Sequence, residues 1–179
     1  VRGLTEGDLN NLEKKICDEI VEKLNVIHPD DETPYHSLCK WIGSIDRKIA
    51  IEIFRNQPFS QDIGAEIDIL DDKDIQIKIN VGNRHKQQHG FVHGGVISYL
   101  ADNSLTFAGG IALGGDALTA EYKINYIRPA VGSTLLAKSR PLSVGKRQSV
   151  CCAEIFDIDD NGDAKLCAYA VGTIVKTGN

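Results

Sequence analysis

No block of clustered lysine or arginine interrupts this 179-residue sequence, and its formal net charge is −5. A surface for nucleic-acid phosphates needs such a cluster, so a primary nucleic-acid role is excluded. Unbroken apolar runs are missing too. The best candidate, residues 96–113, is interrupted by Asp102, Asn103 and two glycines, so no membrane span is expected. A secretory leader is not expected either, because Glu6, Asp8 and Glu13 stand where its apolar segment would lie. The same residues are too acidic for a typical transit peptide. The sequence does not open on Met, which fits an upstream segment having been removed or left out. Finally, no CxxC spacing occurs among Cys17, Cys39, Cys151, Cys152 and Cys167. An odd count without that spacing points to free thiols in a reducing compartment. The expected location is cytoplasmic, with a mitochondrion as the alternative. Cys151 and Cys152 should face opposite sides of a strand, and neither has a nearby basic residue to make it a nucleophile.

What is present is an ordinary globular balance, with length enough for one domain and an appendage. In residues 5–24, Leu9, Leu12, Ile16, Ile20, Val21 and Leu24 recur at helical spacing, and Thr5 with Asp8 suggests a capping box. This reads as a packing helix, with a partner-docking helix as the alternative. Residues 25–34 are polar, contain two prolines and read as a loop. Tyr35, Leu38, Trp41 and Ile42 suggest a short helix. A further helix over 46–56 should end before Pro58. The expected organisation is an N-terminal helical extension, 1–45, and a main domain, 46–179.

In the main domain, residues 66–70 and 75–81 alternate with period two around a turn-like Asp71-Asp72-Lys73-Asp74 and read as a hairpin. After a loop comes an apolar helix at about 94–108. Gly109-Gly110 and Gly114-Gly115 should bracket its exit as cap and turn residues. They make no GxGxxG fingerprint. Four strand patterns follow, at 118–128, 133–144, 148–158 and 165–176. In the first, Leu118, Ala120, Tyr122, Ile124 and Tyr126 should share one face, and Pro129 ends it. Pro141 should sit near the end of the second or at a bulge. Short connections suggest an antiparallel meander. The fold class is α+β, an antiparallel sheet whose apolar face could wrap the single helix.

The chemistry concentrates in residues 87–102. Asp102 is an acid within an apolar helix, which costs free energy unless it is paired, solvated or used. It reads either as a general base or nucleophile, or as a structurally paired buried acid. Gly95, Ser98 and Asp102 share one helix face, because seven residues make nearly two turns. Gly94 and Gly95 leave backbone N–H groups approachable at the helix start, where they could polarise a carbonyl oxygen. The plainer account is close packing of helix on sheet. His85, His89 and His93 fall four apart, but Gly90 argues against a helix there and nothing completes a metal site. No metal is expected. Asp157 to Gly162 opens like an EF-hand loop, yet Ala168 stands where a bidentate Glu is required, and Asn161-Gly162 is a better hairpin signal. Lys146 and Arg147 follow Gly145 in a strand-connecting turn. They could meet ligand phosphates or simply be solvated.

These residues resemble a known family. Gln87-Gln88-His89-Gly90-Phe91-Val92-His93-Gly94-Gly95, with Leu100-Ala101-Asp102 and Glu121-Tyr122-Lys123-Ile124-Asn125-Tyr126-Ile127-Arg128-Pro129-Ala130, resembles the signature of hotdog-fold acyl-CoA thioesterases of the phenylacetic-acid-degradation type. The likeness covers about residues 47–177. It implies the hotdog fold, a long central helix wrapped by an antiparallel sheet. It implies hydrolysis of an acyl-CoA to free acid and CoA, in fatty acid metabolism, with no cofactor beyond the CoA of the substrate. It implies homodimers, often paired into homotetramers, with active sites at the subunit interface. By the same resemblance Asp102 is base or nucleophile, and Gly95 or Gly94 holds the thioester carbonyl. His93 shapes the loop, and Thr119 helps position water from the facing subunit. Many relatives have Asn six residues before the histidine of the HGG. Here that position is Gln87, so Gln87 or Gln88 supplies the amide on a longer arm. Ser98, Lys146 and Arg147 complete the expected substrate contacts. Two other activities fit the fold: a non-catalytic regulatory protein that binds acyl-CoA, and a dehydratase of 3-hydroxyacyl thioesters. Retention of Asp102 with the HGG argues against the first, and the lack of a dehydratase-type loop pattern against the second.

Overall fold

The computed structural model describes residues 47–70 and 74–177. The expected elements within 1–45, with Cys17 and Cys39, and most of the turn at 71–73 lie outside them. Compact units comprise Val1–Pro58 and Phe59–Asn179. In the first, residues 47–55 are helical (α1). Pro58 does more than follow that helix, since it opens a second short one, α2 (Pro58–Ile63). Proline suits a first helical position, where its missing N–H would have no partner anyway.

The rest of the second unit is six strands and one long helix. The strands are β1 (Ala65–Leu70), β2 (Asp74–Asn80), β3 (Ala117–Tyr126), β4 (Thr134–Val144), β5 (Gln148–Ile158) and β6 (Ala164–Lys176). The helix, α3 (Gly94–Leu113), has 20 residues. All strand pairs are antiparallel, in the order β1-β2-β4-β5-β6-β3. Thus β4, β5 and β6 form the expected meander, but β3 does not join it beside β4. It lies at the far edge against β6, and the connection from β3 to β4 crosses the sheet. That crossing is anchored at both ends. Ile127 donates its N–H to Cys167 O, and Ser133 donates to Ile158 O.

The core lies between α3 and the sheet's inner face. In β2, Ile75, Ile77 and Ile79 are wholly buried, as period-two alternation requires. Each such side chain contributes about 1.5–3 kcal/mol relative to exposure. From α3, Leu100, Ala101, Leu105 and Ala108 are fully buried. The helix runs past Ala108, through Gly109 and Gly110, to Leu113. Those two glycines are therefore not exit residues. Gly109 packs so closely on β6 that a Cβ there would stand 2.5 Å from Ile174 Cβ. The terminator is Gly114, in the left-handed region at φ 65°, with Gly115 N–H bonded to Gly110 O.

The register of β3 differs from plain alternation. Thr119 pairs with Ile174 and Glu121 with Thr173, so Ala120 is an inserted bulge residue. Leu118 is consequently 62% exposed and does not share a face with Tyr122. Thr119 and Tyr122 both point at α3 instead. In β4 the register shifts between Pro141 and Ser143, placing Pro141 at an irregularity. None of the described helices is long and apolar enough to cross a membrane.

Candidate active site

The start of α3 is built by its own loop. His93 is the N-cap, in extended conformation, and its Nδ1 accepts the Gly95 N–H at 2.9 Å. A Cβ on Gly95 would stand 3.0 Å from that nitrogen, a tight contact that would press on the ring. Val96 N–H is taken by His93 O. Gly94 N–H has no partner among the described residues, while its carbonyl accepts from Tyr126 Oη at 3.1 Å. The two glycines, equivalent in the sequence, are therefore distinct: Gly95 is capped and Gly94 offers the free donor. The positive end of the helix dipole adds to that donor's pull on a negative oxygen.

The preceding loop is tied down by Val92 N–H to Ala130 O, His93 N–H to His85 O, and Gln87 N–H to Phe91 O. His85 is buried, and its Nδ1 accepts Gly82 N–H at 2.9 Å. Burial, and secondarily the neighbouring Arg84 charge, hold its pKa below the usual histidine value, against an opposing bond to the Ile63 backbone. His89 sits in an exposed turn, so the three histidines converge on nothing, and no group of metal-ligating side chains occurs among the described residues. The Asp159 carboxylate likewise accepts Asn161 and Asp163 N–H groups within its own turn.

Beside Gly94 lies a cavity of about 350 Å³. It is lined by Gln87, Phe91, Val92, Ile97 and the run from Tyr126 to Ala130. Gln87 is half-buried and faces this space, whereas Gln88 is exposed and lines none of it. Lys146 and Arg147 are exposed in the β4–β5 turn and do not line it either.

Two turns further along α3 is Asp102, half-buried. Its Oδ1 accepts from Thr119 Oγ1 at 2.7 Å. Thr106 Oγ1 lies 2.7 Å from Thr119 Oγ1 and 2.8 Å from Asp102 O. Thr119 has one proton. It is given to the carboxylate, and Thr106 gives its own to the Asp102 carbonyl, so the close approach of the two hydroxyls is a hydrogen bond only where one of these two protons is shared. Thr119 thus engages the acid of its own chain. Between the two centres, Ser98 Oγ meets Tyr122 Oη at 2.5 Å. Ser98 is thus engaged by the sheet on the same face as Asp102. Tyr122, Tyr126 and Thr106 are participants the sequence did not single out. The bulge at Ala120 is what brings Thr119 and Tyr122, three apart, onto one face, and no residue type announces it.

Cys151, Cys152 and Cys167 are buried and free. Burial pushes the Cys151 thiol up, and the Cys167 thiol to about 11, where the Asp157 charge assists. Cys151 and Cys167 are thus core groups rather than nucleophiles.

The sequence profile of the Thioesterase superfamily matches residues 89–164. A protein of Saccharolobus solfataricus that carries an esterase name is 30% identical over 129 residues, 69% of this chain and 81% of its own. The 1,4-dihydroxy-2-naphthoyl-CoA hydrolase of Escherichia coli is 28% identical over 116 residues, 62% of this chain and 85% of its own. Among solved structures, a thioesterase family protein of Silicibacter pomeroyi superposes with a TM-score of 0.67 at 24% identity, covering 73% of this chain and 96% of that one. The PaaI protein of the Escherichia coli phenylacetic acid degradation operon gives 0.63 at 22%, over 75% and 94%. At these identities the structural likenesses speak to the fold.

Proposed function

We propose that this chain, which belongs to the thioesterase superfamily and is a thioester hydrolase, acts on an acyl-CoA to give a free acid and CoA. The observation that carries the reading is the separation of two activating centres on one helix. Gly94 offers an unpartnered N–H at the wall of a cavity, and Asp102 offers a carboxylate set by Thr119. Gly94 N–H receives the thioester carbonyl oxygen, with the Gln87 amide beside it. Asp102 takes a proton from water as the water oxygen bonds to the carbonyl carbon. The carbonyl reforms, the C–S bond breaks, and the proton passes to the departing thiolate. The acid and the CoA thiol leave. No group beyond the chain and water enters this balance.

Asp102 lies eight positions beyond Gly94 in α3, a rise of about 12 Å. A thioester held at Gly94 is out of reach of a water held by Asp102 of the same chain. The reading therefore has two copies supply one site, Gly94 from one and Asp102 from the other. The edge of the sheet at β3 supports this, since it carries Thr119 and, among the described residues, has no strand on its outer side. Two such edges joined across a two-fold axis would give an isologous homodimer with two equivalent sites. The buried free thiols suit a reducing compartment, the cytoplasm first.

A hydrolysis screen over aliphatic and aromatic acyl-CoAs, read by release of free thiol, tests the proposal. The wild type should turn over at least one class, and Asp102→Ala should lose activity by orders of magnitude while keeping its fold. Full activity in Asp102→Ala would remove the mechanism.

A further inference from the structure

Asp157 stands one residue from the end of β5, far along the sheet from Asp102, and is 7% exposed. Its carboxylate faces the crossing between β3 and β4. Oδ1 accepts Gly132 N–H at 2.8 Å, and Oδ2 accepts Val131 N–H at 3.0 Å. Both are charge-assisted bonds to backbone, stronger than neutral ones. The seat is tight: a Cβ on Gly132 would stand 2.2 Å from Ile158 O and 2.8 Å from Asp157 Oδ1. One residue before Val131, Ala130 is wholly buried, and its carbonyl accepts Val92 N–H at 2.9 Å. Val92 directly precedes His93, whose ring caps α3, and then comes Gly94. The same loop, from Ile127 to Ala130, lines the cavity together with Gln87.

We infer that Asp157 is a positioning residue for the Gly94 donor, acting through the Val131-Gly132 backbone, the Ala130 carbonyl and the Val92 amide. The inference rests on the assignment of Gly94 as carbonyl donor. Its physical content is that one buried carboxylate fixes both the cavity wall and the segment that aims the helix N-terminus. An oxyanion donor acts through its placement, and a misplacement of about 1 Å can cost about 100-fold in rate.

The test compares Asp157→Asn with the wild type, using the full chain. Asparagine keeps one acceptor but turns an NH2 group toward an N–H that needs an acceptor. Two readouts are taken: kcat and KM per folded molecule, and the backbone amide resonances of Val92 and Gly94. The expected result is a loss in kcat of about tenfold or more with KM changed much less. The Val92 and Gly94 amides should shift, while that of Gly115, at the other end of α3, stays in place. Should Asp157→Asn fail to fold, Val131→Pro serves instead, since it removes the N–H that Oδ2 accepts at an exposed position. Unmoved Val92 and Gly94 amides overturn the inference whatever the activity. Moved amides with an unchanged kcat overturn it too, because the carboxylate would then hold structure without serving catalysis. If the wild type hydrolyses no acyl-CoA, the activity assignment falls instead, and the amides alone decide whether Asp157 sets Gly94.

Discussion

Thr119 Oγ1 lies 2.7 Å from Asp102 Oδ1, joining the outermost strand of the sheet to the one acid on the inner face of α3. The bond fixes the carboxylate's rotamer and assigns Thr119's single proton to it. Thr106, 2.7 Å behind, holds that arrangement in place. A hydrogen bond to a charged group contributes about 1.5–3 kcal/mol.

Removal of that bond should therefore appear in turnover. Thr119→Val keeps the side chain's shape and removes its donor. We expect kcat to fall by about 10- to 100-fold, the equivalent of such a bond, with KM little changed. Thr119→Ser should restore most of the loss. Steady-state kinetics on an acyl-CoA found in the screen checks this. Equal kcat values for Thr119→Val and wild type would detach the threonine from the acid's function.

The two glycines at the start of α3 make opposite predictions. Gly94→Pro removes the free N–H at a first helical position, where proline is well tolerated. His93 already has the extended backbone that a following proline requires. A Cβ at this position would meet Tyr126 only at 3.7 Å, an ordinary contact. The fold should persist, and kcat should fall by about 10²- to 10³-fold, the usual effect of losing an oxyanion donor. Gly95→Ala instead crowds the His93 ring and disturbs the cap. It should cost about 1 kcal/mol in stability and much less in kcat. Melting curves and kinetics on both variants separate the two roles.

Much of this arrangement was legible in residue types, and the reasons are physical. Period-two isoleucines in β2 and an apolar run with paired glycines at its head dictate a sheet and a buried helix. An acid inside that helix must be paired or used, which marks Asp102. What could not be read was set by backbone contacts at long range. The bulge at Ala120 inverts the phase of β3, and only the pairing with β6 reveals it. Gly109 looks like an exit residue until Ile174 is seen against it. Whether Gly94 or Gly95 has the free N–H depends on where the His93 ring lies. The crossing of β3 to the far edge follows from anchors on Asp157, Ile158 and Cys167 that are distant in sequence.

His85 should make stability fall in mild acid. Its folded-state pKa lies below the usual histidine value, chiefly through burial. A base with a lowered folded pKa contributes its full stability above the unfolded value, near 6.5, and loses it as pH falls below that. The unfolded chain binds the proton that the folded chain resists. We expect the wild-type melting temperature to drop between pH 7.5 and pH 5.5. His85→Gln should be less stable at pH 7.5 but should show a smaller drop over the same interval. An equal drop in both proteins would assign the acid sensitivity elsewhere.

In the proposed mechanism, Gly94 of one chain and Asp102 of another serve one thioester. Co-expression of Gly94→Pro and Asp102→Ala chains, carrying different tags, gives a mixed dimer that can be isolated by tandem purification. Each homodimer lacks one group at both sites. The mixed dimer has one site with both groups intact and one with neither, so two-fold symmetry predicts about half the wild-type activity per dimer. A mixed dimer as inactive as its two parents would contradict the account.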